Sequence, residues 1–362
     1  MKTLAASLIV LTAFFPGRVA RGQETTPQGE NPWGGRGNDV HLHLWGVAGR
    51  PRQGADRSKE FEAAAQNLLE QMDRHGVAKA VLLPPPRAKE GDARAEFSLL
   101  LEVARRHPGR FVVGGGGDTL NPMIHQTPAG AVTEEILARF EREARRLAEL
   151  GVKAFGEMTA LHLSLNPTHP FEEVSPDHPL FLRLAELSAE YGIPIDLHME
   201  AVPEEMAKPP GLNDNNPDRL AANIAGLERL LEHDRKARIV WQHIGWDNTG
   251  GMTIDLLKRL LAEHSNLCLA LRVEERLVTI GGMEPMPHRI VDREWKIDPA
   301  WRALFEEFPD RFVIGSDEFF GGPGSRRAPQ SFEETWRILD QLPADLAAKI
   351  GRENAARIYG LE

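Results

Sequence analysis

The chain has 362 residues, of which 41% are hydrophobic and 27% are charged, and this composition excludes collagen-like, disordered and multi-spanning membrane proteins. Its net charge of −10 argues against a nucleic-acid-binding protein, because phosphate contacts require a basic surface. The length fits either two domains or one large α/β barrel, so the order of strands and helices has to decide.

Residues 1–22 have the pattern of a secretory signal peptide. Lys2 precedes an apolar run at 4–15, and Ala20-Arg21-Gly22 offers a small-x-small cleavage site before polar residues. The run is shorter than the roughly 20 residues that a membrane-spanning helix needs. We therefore expect an exported protein, periplasmic or secreted, with no stable membrane insertion after cleavage; a retained anchor is the alternative. Residues 23–37, rich in Gly, Pro and polar side chains, are interpreted as a flexible lead-in.

From residue 38 onward, short apolar runs alternate with amphipathic stretches, which is typical of a parallel sheet with crossover helices. Eight strands are predicted, at 40–44, 78–83, 111–114, 152–155, 193–198, 237–242, 267–271 and 312–315. Eight helical patterns accompany them, at 59–74, 94–107, 133–150, 179–191, 217–233, 253–264, 299–308 and 331–341. This order predicts one (β/α)8 TIM barrel over residues 38–362, with long loops on its C-terminal face; a doubly wound open sheet is the alternative.

Four consecutive glycines, 114–117, follow the third predicted strand. They lack the Lys and Ser or Thr that a phosphate-binding loop needs, so we interpret them as room for close backbone approach. The single cysteine, Cys268, lies inside the seventh predicted strand and excludes an internal disulfide.

Five of the eight predicted strands end in side chains that bind metals or transfer protons. The active site of a barrel is built at the C-terminal ends of its strands. The first strand carries His41 and His43, whose spacing of two places both imidazoles on one side. The fourth, fifth, sixth and eighth strands are followed by Glu157, His198, His243 and Asp317. Each alone fits a structural role, but burying all of them would be costly unless a cation or a tight network satisfies them.

Other side chains at the same face are candidates for substrate contact. Arg272 closes the seventh strand and Arg87 follows the second, so either could bind an anionic group, although a surface ion pair explains each equally well. Trp45 and Trp246 follow two of the histidines and could line an apolar or aromatic pocket, with plain loop packing as the alternative.

The motifs Val40-His41-Leu42-His43 and Gly315-Ser316-Asp317, together with the residues after the fourth, fifth and sixth strands, resemble the amidohydrolase superfamily. The resemblance is closest to its amidohydrolase-related branch, which includes metal-dependent hydrolases and non-oxidative decarboxylases. Residues 349–359 are similar to the closing helix of that branch.

The resemblance implies that a divalent ion is held by His41, His43, His198 and Asp317. His243 would bind a second ion, or polarise the substrate and shuttle protons. Glu157 stands where some superfamily members place a carboxylate or carbamylated lysine that bridges two metals, and the one-metal pattern of the decarboxylases has no such ligand. One or two ions are therefore expected. Zn²⁺ is the first choice for this histidine-rich set, with Mn²⁺ as the alternative.

These groups predict an exported metal-dependent hydrolase that uses a metal-activated water on an amide, ester or lactone bond. Asp317 would accept the proton of the water, and His243 would stabilise the developing negative charge. The alternative is a non-oxidative decarboxylase of an aromatic or enoic carboxylic acid, and a third interpretation is a non-catalytic metal-stabilised binding protein. The expected partner is a small-molecule substrate, and both a monomer and a homo-oligomer are open.

Overall fold

A computed structural model describes residues 37–45, 56–89, 94–165, 167, 169–274, 286–322 and 330–361. The predicted signal peptide, and residues 23–36 of the predicted lead-in, lie outside the described residues. Within the described ranges, no helix combines the length and the apolar character needed to cross a membrane.

The strands of the described residues are β1 (Gly37–Trp45), β2 (Val77–Leu82), β3 (Phe111–Val113), β4 (Gly115–Gly116), β5 (Phe155–His162), β6 (Glu172–Glu173), β7 (Ile195–Met199), β8 (Met206–Ala207), β9 (Arg219–Leu220), β10 (Ile239–Ile244), β11 (Leu267–Leu271), β12 (Phe312–Ile314) and β13 (Glu318–Gly321). The α-helices are α1 (Arg57–His75), α2 (Arg94–Arg106), α3 (Leu120–Gln126), α4 (Glu134–Glu149), α5 (Pro179–Tyr191), α6 (Ile224–His233), α7 (Ile254–Glu263), α8 (Pro299–Glu307), α9 (Gln330–Arg337), α10 (Ala344–Ala348) and α11 (Asn354–Tyr359).

Helix α4 shows why the amphipathic stretches become helices. The Thr133 side chain accepts a hydrogen bond from the backbone N–H of Ile136 and so caps the first turn. Phe140, Ala144 and Leu147 recur at three- and four-residue steps and are fully buried. The helix therefore packs one apolar stripe on the sheet, as the sequence predicts.

Nine of the described strands form a closed parallel barrel. Their order is β3-β2-β1-β12-β11-β10-β7-β5-β4, and its two end members are consecutive in the chain, separated only by Gly114. The Gly114 N–H donates to Leu82 O on one side, and the Gly115 N–H donates to Ala154 O on the other, both at 2.9 Å. The order thus returns to its starting strand, which confirms the TIM barrel and excludes the open sheet.

The glycines at this closure allow the close approach that the sequence predicts. A Cβ atom on Gly117 would lie 2.7 Å from Pro84 O and 2.9 Å from Glu157 O, which are backbone atoms of the two flanking segments. A Cβ on Gly114 would lie 2.2 Å from the Leu83 Cδ2 atom. Only glycine fits between these neighbours without a shift.

Several boundaries predicted from the sequence are wrong. The sixth strand was placed at 237–242, but β10 is Ile239–Ile244, so His243 lies within the strand and not after it. The fourth strand was placed at 152–155, but β5 begins at Phe155 and continues to His162, because it pairs with β7 and then with β6. Glu157 therefore lies within this strand and not after it. The helix predicted at 217–233 begins only at Ile224, because residues 219–220 pair with β8. Helix α9 ends at Arg337, and a 3₁₀ turn completes the stretch predicted to 341.

Two hydrophobic clusters stabilise this arrangement. The larger lies between the barrel strands and the helices, with Trp241, Trp301, Phe155 and Phe305 among its largest buried side chains. The smaller takes mainly small residues from the barrel strands and so fills the barrel interior, with Val40, Val81, Ala154, Val240, Cys268, Ala270 and Val313. The polar residues described next lie on β1, β5, β7 and β10 and in the segment after β12.

Candidate metal centre

The two histidines of β1 are fully buried, and each is oriented by a partner on its Nδ1 atom. His43 Nδ1 lies 2.9 Å from Leu83 O, and His41 Nδ1 lies 3.1 and 3.2 Å from the two carboxylate oxygens of Asp196. These acceptors assign the proton of each neutral ring to Nδ1. The Nε2 lone pairs of the two rings then face each other at 3.2 Å, an arrangement that a shared cation would satisfy.

Two carboxylates complete this group. Glu157 Oε2 lies 3.6 Å from His41 Nε2 and 3.4 Å from His43 Nε2. Asp317 Oδ1 lies 3.7 and 3.5 Å from the same two nitrogens. Ligands about 2.0–2.2 Å from a tetrahedral Zn²⁺ are about 3.3–3.6 Å apart, so each carboxylate oxygen is spaced from the two nitrogens roughly as a ligand of the same ion would be.

A second group of donors lies on the other oxygen of Glu157. Glu157 Oε1 is 2.7 Å from His198 Nδ1 and 3.3 Å from His243 Nε2, and these two nitrogens are 2.9 Å apart. The structure therefore places His198 beside His243, whereas the resemblance grouped it with the two histidines of β1. Glu157 contacts both groups and joins them.

Burial and charge act in opposite directions on the acids of this centre. Burial favours neutral Glu157, but the His41 imidazole and hydrogen bonds from His198 and His243 hold the pKa of its carboxyl well below the usual range. For Asp317, burial is likewise outweighed, chiefly by the Arg272 guanidinium, and the pKa of its carboxyl is strongly lowered. Both carboxylates are therefore charged at neutral pH.

The histidines respond to these two negative charges. Burial opposes protonation of His43, but Asp317 and Glu157 raise the pKa of its imidazole to about 8. His243 differs, because burial dominates and lowers the pKa of its imidazole to about 3. The carboxylates of Glu157 and Asp317 beside the His41–His43 pair favour a positive charge at this point, where a metal cation would take the place of a proton.

Two buried carboxylates that the sequence analysis did not identify form hydrogen bonds next to the candidate ligands. Asp196 contacts His41, as described, and accepts a hydrogen bond from Gln242 at 2.8 Å. Asp39 accepts hydrogen bonds from the Ser316 hydroxyl at 2.7 Å and from the Trp336 indole at 3.0 Å. The signal was present, because each Asp interrupts an apolar strand two residues before a candidate ligand.

Strained backbone carries two of the site residues. His243 and Asp317 have φ of 61° and 51°, in the left-handed region that non-glycine residues rarely adopt. The Asp317 N–H donates to His41 O at 3.0 Å, which helps to hold this conformation. Such strain persists only where surrounding contacts fix it, and it concentrates at functional sites.

Not all of the side chains predicted to contact the substrate lie at the candidate metal centre. Arg272 contacts Asp317 and stacks on Trp246, so both lie at the centre. Trp45 is half exposed and packs edge-on against Phe319, which is stacked on the ring of His43 at 4.3 Å. Arg87 instead pairs with Glu96 of α2 at 3.1 Å.

Comparisons with known proteins concern the family and the fold of the chain. The model of the family described as Amidohydrolase matches residues 38–361. The comparison with curated proteins found no match. Among solved structures, a probable 2-pyrone-4,6-dicarboxylic acid hydrolase from Acinetobacter baumannii, with citric acid bound, is 13% identical with a TM-score of 0.50; the match covers 90% of this chain and 99% of that chain.

Two further solved structures are similar over most of their length. A 5-carboxyvanillate decarboxylase from Novosphingobium aromaticivorans, with bound manganese, is 16% identical, with 91% and 98% coverage and a TM-score of 0.48. A mutant PTE-like lactonase from Deinococcus radiodurans is 15% identical, with 90% and 95% coverage and a TM-score of 0.46.

Proposed function

The chain belongs to the amidohydrolase family, and we propose that it is an exported metal-dependent hydrolase that uses a metal-activated water on an amide, ester or lactone bond. One observation carries the proposal. The two oxygens of Glu157 face two separate groups of nitrogen and oxygen donors, as a carboxylate shared by two metal ions would. Two ions held together in this way are typical of enzymes that add water to a polarised bond.

The proposed ligands are His41, His43 and Asp317 for one ion, and His198 and His243 for the other, with Glu157 shared. A divalent ion bound there supplies a Lewis acid and lowers the pKa of water from 15.7 toward about 7. Zn²⁺ is the first choice, because four of the six side chains offer imidazole nitrogen, and Mn²⁺ is the alternative because of the two carboxylates.

The side chains of this chain have defined parts in the proposed reaction. Asp317, charged and turned toward His41 and His43, accepts the proton of the attacking water and passes it to the leaving group. The buried Nδ1 atom of His243 lies 3.6 Å from Asp317 Oδ2 and has no hydrogen-bond partner among the described residues, so in this proposal it donates to the substrate beside Asp317.

Metal counting tests the centre. Protein purified without chelator is expected to hold about two equivalents of transition metal, and the double variant His41→Ala, His43→Ala is expected to lose at least one of them. The matched control, His107→Ala with His233→Ala, removes one half-buried and one exposed histidine on the outside of the barrel and should keep the metal. A metal-free wild type that is folded and active would contradict the proposal.

A substrate panel tests the reaction. Esters, lactones and amides are offered beside aromatic and enoic acids, and hydrolysis is expected without release of CO₂ from the acids. Release of CO₂ with no hydrolysis would replace the proposed hydrolase by a decarboxylase on the same scaffold.

Export, which we propose from residues 1–22, is tested by recovering the mature protein from the periplasm or medium and sequencing its amino terminus.

A further inference from the structure

The contacts of Arg272 concern the orientation of the Asp317 carboxylate, and the inference drawn from them rests on the proposed function. We propose that Arg272 is a positioning residue for Asp317, which fixes the carboxylate so that one oxygen points at the His41–His43 pair. The competing role is the binding of a substrate anion, as expected from the sequence. The contacts of the guanidinium distinguish the two roles.

The guanidinium is held in a fixed plane. Arg272 follows the last residue of β11, and its backbone N–H donates to Ile244 O of β10 at 2.9 Å. Its side chain is 11% exposed, and its Cζ atom lies 4.3 Å from the centre of the Trp246 ring. Trp246 is itself tied to the centre, because its backbone N–H donates to His243 O at 2.9 Å. Stacking on a buried indole leaves the planar cation little freedom to turn.

The donors of Arg272 are already directed at carboxylates of this chain. One terminal nitrogen donates to Asp317 Oδ2, and the other lies 3.4 Å from Glu274 Oε2. Both acids are buried. The remaining nitrogen, Nε, is buried and has no hydrogen-bond partner among the described residues. An arginine that serves as an anion receptor would keep both terminal nitrogens turned toward the mouth of the barrel, whereas here each terminal nitrogen already contacts a buried carboxylate of this chain.

The consequence falls on the two oxygens of Asp317. Its backbone is held by the left-handed φ and by the hydrogen bond to His41 O, so the carboxylate moves only by rotation about its two side-chain bonds. Arg272 holds Oδ2, and Oδ1 is thereby directed to the Nε2 atoms of His41 and His43, at 3.7 and 3.5 Å. Without Arg272, the carboxylate would turn freely and meet the imidazole pair only part of the time.

The test compares Arg272→Met, which removes the charge and the donors, with Arg272→Lys, which keeps the charge but not the planar fork. Arg289→Met is the matched control, because Arg289 donates to the backbone oxygen of Glu274 and has no contact with Asp317 among the described residues. Zn²⁺ affinity is measured by competition with a chromophoric chelator, a readout that does not depend on activity. Circular dichroism checks that each variant is folded. If Arg272→Met does not fold, the Zn²⁺ affinity of Arg272→Lys is used to test the inference in its place.

Kinetics are measured with two esters that differ by one carboxylate, para-nitrophenyl acetate and the para-nitrophenyl monoester of succinate. A positioning role predicts that Arg272→Met weakens Zn²⁺ binding about 10- to 100-fold, as the loss of a residue that orients a ligand does. It also predicts an equal loss of kcat for both esters with little change in KM, and partial recovery in Arg272→Lys.

Two results would overturn the inference. Unchanged Zn²⁺ affinity with a rise in KM for the succinate ester alone would make Arg272 an anion receptor. Unchanged affinity and kinetics in Arg272→Met would remove any role at the centre. If the wild type hydrolyses neither ester, the proposed hydrolysis is in question, while the Zn²⁺ competition still decides the role of Arg272.

Discussion

Glu157 and His198 meet through a single carboxylate oxygen, with Oε1 2.7 Å from the imidazole Nδ1. The other oxygen of the same carboxylate faces His41 and His43, at 3.6 and 3.4 Å. A residue that served only one ion, or only as a hydrogen-bond acceptor for one histidine, would not need both oxygens aimed at nitrogen donors. This division of Glu157 is the observation from which we propose two ions and not one.

Replacing Glu157 with Gln should therefore remove the bridge and leave the shape nearly unchanged. An amide offers one oxygen and one NH₂ group, so it cannot present an acceptor to both donor groups. We expect Glu157→Gln to hold at most about one equivalent of metal, measured by elemental analysis, and to lose at least about 10²-fold in the rate of hydrolysis. Glu173→Gln, on the exposed face of β6, is the matched control. Two equivalents retained in Glu157→Gln would contradict a bridging role.

The sequence predicts which residues lie at the site better than it predicts which of them contact each other. The apolar runs that end in His43, His243 and Asp317 were sufficient to locate three strand ends, because the period of a strand and the rule of barrel active sites act locally. The continuation of β5 was missed for a physical reason. Gly156 and Glu157 interrupt its apolar pattern, and only pairing with β6 and β7 shows that the strand continues.

The partners across the barrel lay beyond prediction from a single sequence. Which oxygen of Glu157 faces which histidine depends on side-chain rotation, and the pairing of His41 with Asp196 joins residues that are 155 positions apart. Local patterns carry no information on such distances. The contact between Arg272 and Asp317 could not be predicted for the same reason. From the sequence alone, an arginine at the end of a strand is equally suited to bind a substrate anion.

Asp196 provides a second prediction, since its carboxylate holds the His41 ring with Nε2 toward the other ligands. Asp196→Asn keeps the size but replaces one acceptor with a donor, so the amide can stabilise the wrong tautomer of His41. We expect Zn²⁺ affinity to fall about 10- to 100-fold, as measured by competition with a chelator. Asp73→Asn, at an exposed carboxylate on α1, should leave the affinity unchanged. Equal affinities in the two variants would show that Asp196 does not orient the ligand.

Asp118 gives a prediction for stability that is independent of the metal. The residue is 5% exposed, and neither carboxylate oxygen accepts a hydrogen bond from another described residue. Burial raises the pKa of its carboxyl from 3.8 to about 6, with Glu96 and Glu143 adding to the shift. Because the folded state holds the proton more tightly than the unfolded state, the charged form opposes folding above about pH 6 and has no effect below about pH 4.

We therefore expect Asp118→Asn to raise the free energy of unfolding at pH 8 by up to about 3 kcal/mol, the equivalent of the shift in pKa. The gain should shrink as the pH falls through 6 and disappear near pH 4, in urea unfolding curves recorded at each pH. Asp73→Asn again serves as the exposed control. A gain of the same size at pH 4 and pH 8 would mean that the amide acts through new hydrogen bonds and not through the lost charge.

Gly117 links the closure of the barrel to the position of Glu157, and its replacement gives the last prediction. A Cβ at this position would meet backbone oxygens of Pro84 and Glu157, neither of which can move without shifting its segment. We expect Gly117→Ala to lower the free energy of unfolding by about 2–3 kcal/mol. Gly130→Ala is the matched control, because a Cβ there meets no atom within 4 Å, and its effect should stay within about 0.5 kcal/mol. Because the strain falls on the backbone of Glu157, Gly117→Ala should also weaken metal binding. Unchanged metal content in a destabilised variant would show that the barrel closure and the metal centre are uncoupled.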